Sequence, residues 1–159
     1  MNTALTAGEL KAWRMFLRAH AQVTRSLEAE LVAEHDLPLP SYDVLVQLSE
    51  SPDRRLRMTE LADRVLLSRS GLTRLVDRLA REGMVERQSC PSDARGTLAV
   101  LTETGLQRLQ DAWPTHLRGV AEHVTSKLTT EDVEQLTALL AKLVVEGSSP
   151  VEGSCGGVR

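Results

Sequence analysis

Apolar side chains recur at intervals of three and four residues along the first 35 positions of the chain. This spacing places them on one side of an α-helix, so it predicts a long helix over about residues 8–35 that packs against other helices. Pro38 and Pro40 end that helix. A second helix is predicted directly afterwards, with Ser41 as its N-cap.

The middle of the chain, residues 58–102, predicts two short helices followed by a β-hairpin. Thr59 and Ser68 can cap the two helices, and Gly83 can end the second one. Residues 50–57 are predicted to form a loop. The predicted elements are helices over residues 60–65 and 69–82 and strands over residues 84–88 and 97–101, with a turn at residues 91–96.

The last third of the chain is predicted to be helical as well. A helix begins after Thr102, and Pro114 inside it either kinks it or starts a new helix. Thr129, followed by Asp132 three residues later, predicts the start of the last helix. Residues 147–159 contain Gly and Ser without an apolar pattern, which predicts a disordered tail.

The composition is typical of a globular, mainly helical chain. Of the 159 residues 42% are hydrophobic but only 3% are aromatic, so the core must be built from Leu, Val and Ala. No segment approaches the roughly 18 consecutive apolar residues of a membrane span, and the N-terminus has no secretory signal pattern. We therefore expect a cytoplasmic protein without a membrane partner. Cys90 and Cys155 are too few for a disulfide framework.

The charge is distributed unevenly along the chain. The net charge is −3, yet residues 54–95 hold ten arginines and six acidic residues, a local charge of +4. The remainder must then carry −7. A basic segment between acidic ends is expected when one part of a protein meets phosphate groups and another does not.

The helix predicted after Ser68 has two different sides. One side is apolar, and the other carries Ser70, Thr73 and Arg74, with arginines at its flanks. Hydroxyl and guanidinium groups reach base edges and phosphates, and two helices plus a hairpin make a winged helix-turn-helix. Asp77 would repel DNA, so we expect it to hold Arg74 or Arg81. The alternative is an amphipathic helix whose charged side is only solvated.

Four segments of this region resemble the MarR family of transcriptional regulators. They are residues 67–79 (LSRSGLTRLVDRL), 83–87 (GMVER), 93–96 (DARG) and 100–105 (VLTETG). The resemblance is strong over residues 58–105, and the order of helices agrees over residues 8–146. It implies a homodimer that binds a pseudo-palindromic operator in double-stranded DNA and represses, or less often activates, nearby genes.

The resemblance also implies that different segments of the chain have different functions. Residues 1–36 and 103–146 would form a helical dimerisation region, and residues 37–102 a winged helix-turn-helix with a two-stranded β wing. The wing arginine, Arg95, would enter the minor groove or grip its phosphates, with Asp93 orienting it. The predicted DNA contacts are Ser68, Arg69, Ser70, Thr73, Arg74, Arg78, Asp93 and Arg95.

Many members of this family bind small aromatic acids between the two regions, which implies an effector that releases the DNA. Residues that could line such a cavity are Trp13, Phe16, His20, Thr24 and Leu45. The alternative for His20 is a hydrogen-bonded residue of the core or of an interface.

Other chemistry has weak support in the sequence. His116 and His123 share a helix face but lack a matching carboxylate, so we expect neither a metal site nor another cofactor. Cys90 leaves open an oxidant sensor of the same fold. A small cysteine-dependent enzyme is the other alternative, but no catalytic motif accompanies Cys90, so we expect a protein that is not an enzyme.

Overall fold

The computed structural model describes residues 4–65, 67–90 and 93–144, and the side chains of residues 90 and 93–95 lie outside this description. The predicted tail, residues 147–159, also lies outside it. The described ranges contain a mainly helical fold, as predicted. Its elements are α1 (Ala7–His35), α2 (Leu39–Ser49), β1 (Arg55–Arg57), α3 (Met58–Arg64), α4 (Arg69–Arg81), β2 (Val85–Cys90), β3 (Asp93–Leu101), α5 (Glu103–His123) and α6 (Thr130–Ala141).

Hydroxyl side chains start three of the helices as the sequence predicts. Ser68 Oγ accepts a hydrogen bond from the backbone N–H of Gly71, and Thr102 Oγ1 accepts one from Gly105. Thr129 forms a reciprocal capping box with Asp132. Each cap satisfies a backbone donor that a helix start leaves unpaired.

Two predicted caps are wrong. Helix α2 begins two residues before Ser41, with Pro38 at the cap position, so Ser41 lies inside the first turn and is buried. Helix α3 begins at Met58 with Arg57 as its cap residue, and Thr59 makes no capping bond. At the start of α2 the backbone N–H of Leu39 donates to the Glu28 carboxylate of α1, so a side chain from another helix takes the place of the hydroxyl acceptor.

The wing contains three strands, one more than predicted. The antiparallel sheet has the order β1-β3-β2, and Leu56 of β1 lies opposite Ala99 of β3. Strand β1 is only three residues long and follows Pro52, so no alternating pattern could distinguish it from a loop. Strand β3 begins at Asp93, inside the predicted turn, because Asp93 pairs with Cys90 across the hairpin.

Helix α5 continues through Pro114 as one helix of 21 residues. It packs against α1 and α2. His35 Nε2 lies 2.8 Å from Thr115 Oγ1, and Arg108 Nη2 donates to the carbonyl oxygen of His35 over 2.7 Å. These bonds fix the end of α1 against the middle of α5.

One apolar core lies where α2, α3, α4 and the sheet meet the C-terminal part of α1 and α5. Leucine and valine supply most of it, as expected from the shortage of aromatic residues. Its fully buried members include Leu31, Val44, Leu45, Leu48, Leu61, Leu72, Val76, Leu79 and Val85. This core fixes the orientation of α4.

The N-terminal half of α1 and the whole of α6 contribute no buried residue. Their large apolar side chains are exposed to solvent in the single chain. The most exposed of these are Trp13, Met15, Phe16, Leu17, Leu136 and Leu139, each at least 40% exposed. Exposed apolar surface of this extent is typical of segments that contact another protein chain. Within the described residues, no helix is long and apolar enough to cross a membrane.

The close approach of α5 to the end of α4 depends on Gly105. A Cβ atom there would lie 2.1 Å from the carbonyl oxygen of Met84 and 2.8 Å from Leu101 Cδ1. We predict that Gly105→Ala lowers the free energy of unfolding by about 1–3 kcal/mol, because backbone must move to admit the methyl group. Denaturant unfolding at a fixed protein concentration measures this change.

Gly8→Ala is the matched control, since Gly8 also lies in the first turn of a helix and the nearest atom to its Cβ would be 4.0 Å away. This control should be neutral or slightly stabilising. Equal stability changes for the two variants would contradict the packing argument.

Candidate nucleic-acid interface

Helix α4 is held by its apolar side and open on its polar side. Leu72, Val76 and Leu79 are at most 1% exposed, whereas the opposite side faces solvent. The exposed residues on that side are Arg69, Ser70, Thr73, Arg74 and Asp77. The predicted polar face of the helix is therefore accessible to a large ligand.

The N-terminus of α4 carries two exposed hydroxyl groups. The Oγ atoms of Ser68 and Ser70 lie 3.4 Å apart, and Ser68 also accepts from the N–H of Gly71 over 3.1 Å. Unpaired N–H groups and the helix dipole give this end a partial positive charge. The arrangement suits a phosphate group at the start of the helix.

Two arginines of the exposed face are available for an outside partner. The guanidinium groups of Arg69 and Arg74 make no hydrogen bond or ion pair with the residues that the structure describes. Thr73 Oγ1 donates to the carbonyl oxygen of Arg69 over 2.9 Å and so stays close to the helix surface.

Arg78 has a different position from the other predicted contacts. Its Nη2 atom donates to Ser41 Oγ of α2 over 2.5 Å, and its Nε atom lies 3.9 Å from Glu82 Oε1. The guanidinium therefore joins α4 to α2. The structure does not place Arg78 together with the unpartnered arginines of the exposed face.

Asp77 pairs with a residue that the sequence did not suggest. Its Oδ1 atom lies 2.9 Å from Arg87 Nη2 of strand β2, and the same nitrogen donates to the carbonyl oxygen of Thr73 over 3.3 Å. The expected pairing with Arg74 or Arg81 is wrong, since Arg81 Nε reaches only the backbone oxygen of Asp77. The Asp77–Arg87 pair joins the wing to α4 and neutralises the acid on the exposed face.

The end of α4 sets its distance from the wing. Gly83 has a φ of 73°, a left-handed conformation that favours glycine. The N–H groups of Gly83 and Met84 donate to the carbonyl oxygens of Ala80 and Leu79. This closing motif turns the chain directly into β2. The predicted wing contacts, Asp93 and Arg95, belong to β3, but their side chains lie outside the described residues, as does that of Cys90.

The predicted effector residues are not gathered at one cavity in the single chain. Trp13, Phe16 and His20 are exposed on α1, where the rings of Trp13 and Phe16 stack 6.2 Å apart. Thr24 donates to the carbonyl oxygen of His20. Leu45 is fully buried in the core. The participation of these five residues in an effector site stays a prediction.

A different cavity, of about 330 Å³, lies between α2, α3 and α5. Its walls are partly apolar, and its polar lining includes Tyr42, Asp43, Arg64 and His116. The hydroxyl of Tyr42 and the Nδ1 atom of His116 are buried and have no hydrogen-bond partner among the described residues. Buried polar groups are normally paired, so an occupant of the adjoining cavity that reached either atom after a small side-chain movement would supply the missing partner.

Burial shifts the pKa values of three side chains that line this cavity. It raises the pKa of Asp43 to about 6, with a further contribution from the negative charge of Glu28. It also raises the pKa of the Tyr42 hydroxyl and lowers the pKa of His116. The tyrosine and the imidazole are therefore neutral near pH 7, and each can donate or accept a hydrogen bond.

Sequence reasoning missed this cavity because its lining comes from three separate helices. The rings of Tyr42 and His116 lie 4.5 Å apart although the residues are far apart in the chain. A buried tyrosine in a core with few rings was the available signal, but it did not reveal the partner. Arg87 was missed for the same reason, since only the fold brings it to Asp77.

The sequence pattern of the MarR family matches residues 35–96 of the chain. The HTH-type transcriptional regulator MhqR of Bacillus subtilis (strain 168) is 29% identical over 139 residues, which cover 87% of this chain and 93% of that protein. The homoprotocatechuate degradative operon repressor of Escherichia coli is 30% identical over 122 residues, which cover 77% of this chain and 80% of that protein.

A solved structure agrees with these relatives. The crystal structure of Sco3205, a MarR family transcriptional regulator from Streptomyces coelicolor in complex with DNA, is 39% identical and has a TM-score of 0.83. The match covers 95% of this chain and 94% of that one. Together with the winged helix-turn-helix built by α3, α4 and the sheet, these similarities show that the chain belongs to the MarR family of helix-turn-helix transcriptional regulators.

Proposed function

We propose that this regulator acts as a homodimer that binds a pseudo-palindromic operator and represses nearby genes until a small effector releases it. The observation that carries the proposal is the exposed face of α4, where Arg69 and Arg74 have no partner among the described residues. A relative that has been crystallised with DNA supports the same use of the fold.

In this proposal α4 lies in the major groove of DNA. Arg69 and Arg74 contact base edges or phosphates, since a guanidinium can donate two hydrogen bonds to guanine. Ser68 and Ser70 receive a phosphate at the start of the helix. Thr73 lies against the bases between them.

The remaining predicted contacts have supporting roles. Arg78 positions α4 through Ser41 and contacts DNA at the edge of the interface. Asp93 and Arg95 keep the wing role that the family resemblance implies, with Arg95 in or near the minor groove.

Dimerisation is proposed through the apolar surfaces of α1 and α6, within residues 1–36 and 103–146. Exposed Trp13, Phe16 and Leu139 would be covered by a second copy of the chain, which removes apolar surface from water. Two copies related by a twofold axis present two α4 helices. They would meet half-sites about one helical turn apart, on the order of 10 base pairs.

The cavity between α2, α3 and α5 is the proposed effector site. Trp113 and Leu117 offer apolar walls for a ring, and Arg64 offers a positive charge for an acidic group. A small aromatic acid fits this combination when Asp43, whose pKa is about 6, takes up a proton as the acid binds. Arg64 ends α3, which precedes α4 by a few residues, so an occupant that moves α3 would also move the DNA-reading helix.

We predict that Arg74→Ala weakens binding to a duplex selected from random sequences by about 1–3 kcal/mol, because a base contact is lost. A gel-shift titration at fixed salt measures the affinity. Arg25→Ala is the control, since Arg25 is an exposed arginine of α1 and not of the proposed DNA-reading helix α4. An unchanged affinity for Arg74→Ala, or equal losses for both variants, would remove Arg74 from the base-reading residues.

We predict that Tyr42→Phe leaves the free energy of unfolding unchanged or raises it by up to about 1–3 kcal/mol, because a buried hydroxyl without a partner is removed. The same variant should require more salicylate than the wild type to release bound DNA. Denaturant unfolding and a release titration measure the two effects. A destabilised variant with unchanged release would show that the hydroxyl has a structural partner and no effector role.

A further inference from the structure

Helices α1 and α5 are joined by a series of polar contacts along their antiparallel packing. Near one end Glu34 accepts from Thr115 over 2.9 Å and pairs with Arg118. Further along, Glu30 contacts His123 near the end of α5. The first carboxylate has a permanent cation beside it, whereas Glu30 has only an imidazole.

A second carboxylate lies at the same place. Glu30, Glu122 and His123 each offer one ligand atom, and these atoms all lie within 4.8 Å of one another. The cluster therefore combines two carboxylates with one imidazole. These three ligand atoms can together coordinate a divalent cation.

One oxygen of Glu30 remains without a partner. Its Oε1 atom lies 2.5 Å from His123 Nε2, but its Oε2 atom is buried and accepts no hydrogen bond from the described residues. A buried carboxylate oxygen without a donor is costly unless a cation or a water completes it.

The surface of α5 is shaped to admit this carboxylate. A Cβ atom at Gly119 would lie 2.5 Å from Glu30 Oε2 and 2.7 Å from Leu27 Cδ2. The missing side chain therefore leaves the space that the Glu30 carboxylate occupies. Leu27, only 7% exposed, forms an apolar wall on one side.

We propose that Glu30, Glu122 and His123 bind one first-row divalent transition-metal ion such as Zn²⁺. Imidazole and carboxylate ligands bind Zn²⁺ at about 2.0–2.2 Å, which places two ligands of a tetrahedral ion roughly 3.3 Å apart. Glu30 and His123 would separate by less than about 1 Å, and Glu122 would move inward from the surface. Water takes the fourth position.

The sequence predicted no metal site because no carboxylate could be matched to the two histidines of α5. Only His123 of these belongs to the cluster, where Glu122 precedes it on α5 and the fold brings Glu30 from α1. A bound ion would join α1 to the last turn of α5, directly before the chain turns at Thr125–Lys127 towards α6. It would stiffen the helical region that presents the exposed apolar surfaces.

The test is isothermal titration of the chelator-treated full chain with ZnCl₂. We expect one ion per chain in the wild type and at least about tenfold weaker binding in Glu122→Gln, as for loss of a metal-site residue. Glu122 is exposed, and its side chain makes no hydrogen bond to the described residues, so this variant should fold normally. Glu134→Gln, at another exposed glutamate, should bind like the wild type.

A second variant, Glu30→Gln, should also weaken binding, and circular dichroism checks that it folds. No binding by the wild type would overturn the proposal. Equal binding by the wild type and Glu122→Gln would overturn it as well, since the ion would then lie elsewhere, for example on a cysteine. These measurements contain no DNA, so their outcome is independent of the proposed operator binding.

Discussion

The two-sided character of α4 is the constraint on which the rest of the structure depends. Leu72, Val76 and Leu79 are buried against the other helices and the sheet, which leaves the helix only one orientation. The hydroxyl and arginine face must then point outwards. The cap at Ser68 and the left-handed turn at Gly83 fix where this face begins and ends.

Helix α5 links this module to the exposed helical surfaces. It packs on α1 through Thr115 and His123 and lines the cavity through His116. The cavity therefore lies between α5, which packs against α1, and α3, the first helix of the DNA-binding pair. An occupant that moves α3 relative to α5 would change the spacing of two α4 helices in a dimer, which gives a physical route from a small molecule to DNA affinity.

Local features of the fold could be predicted from the sequence, and long-range ones could not. The cap at Ser68 and the apolar line of α4 depend on residues within one or two turns. The partner of Asp77 proved to be Arg87, and the partner of Glu30 proved to be His123, because only tertiary packing brings these residues together. Strand β1 is too short to show an alternating pattern. The residues lining the cavity come from three helices, so spacing along the chain carries no sign of them.

Photo-cross-linking tests the central claim, that the exposed face of α4 meets DNA, most directly. A benzophenone side chain is placed at position 73 of α4 in one sample and at position 134 of α6 in another, each bound to the selected duplex. The account predicts covalent capture of DNA from position 73 and none from position 134. Capture from position 134 with none from position 73 would contradict it.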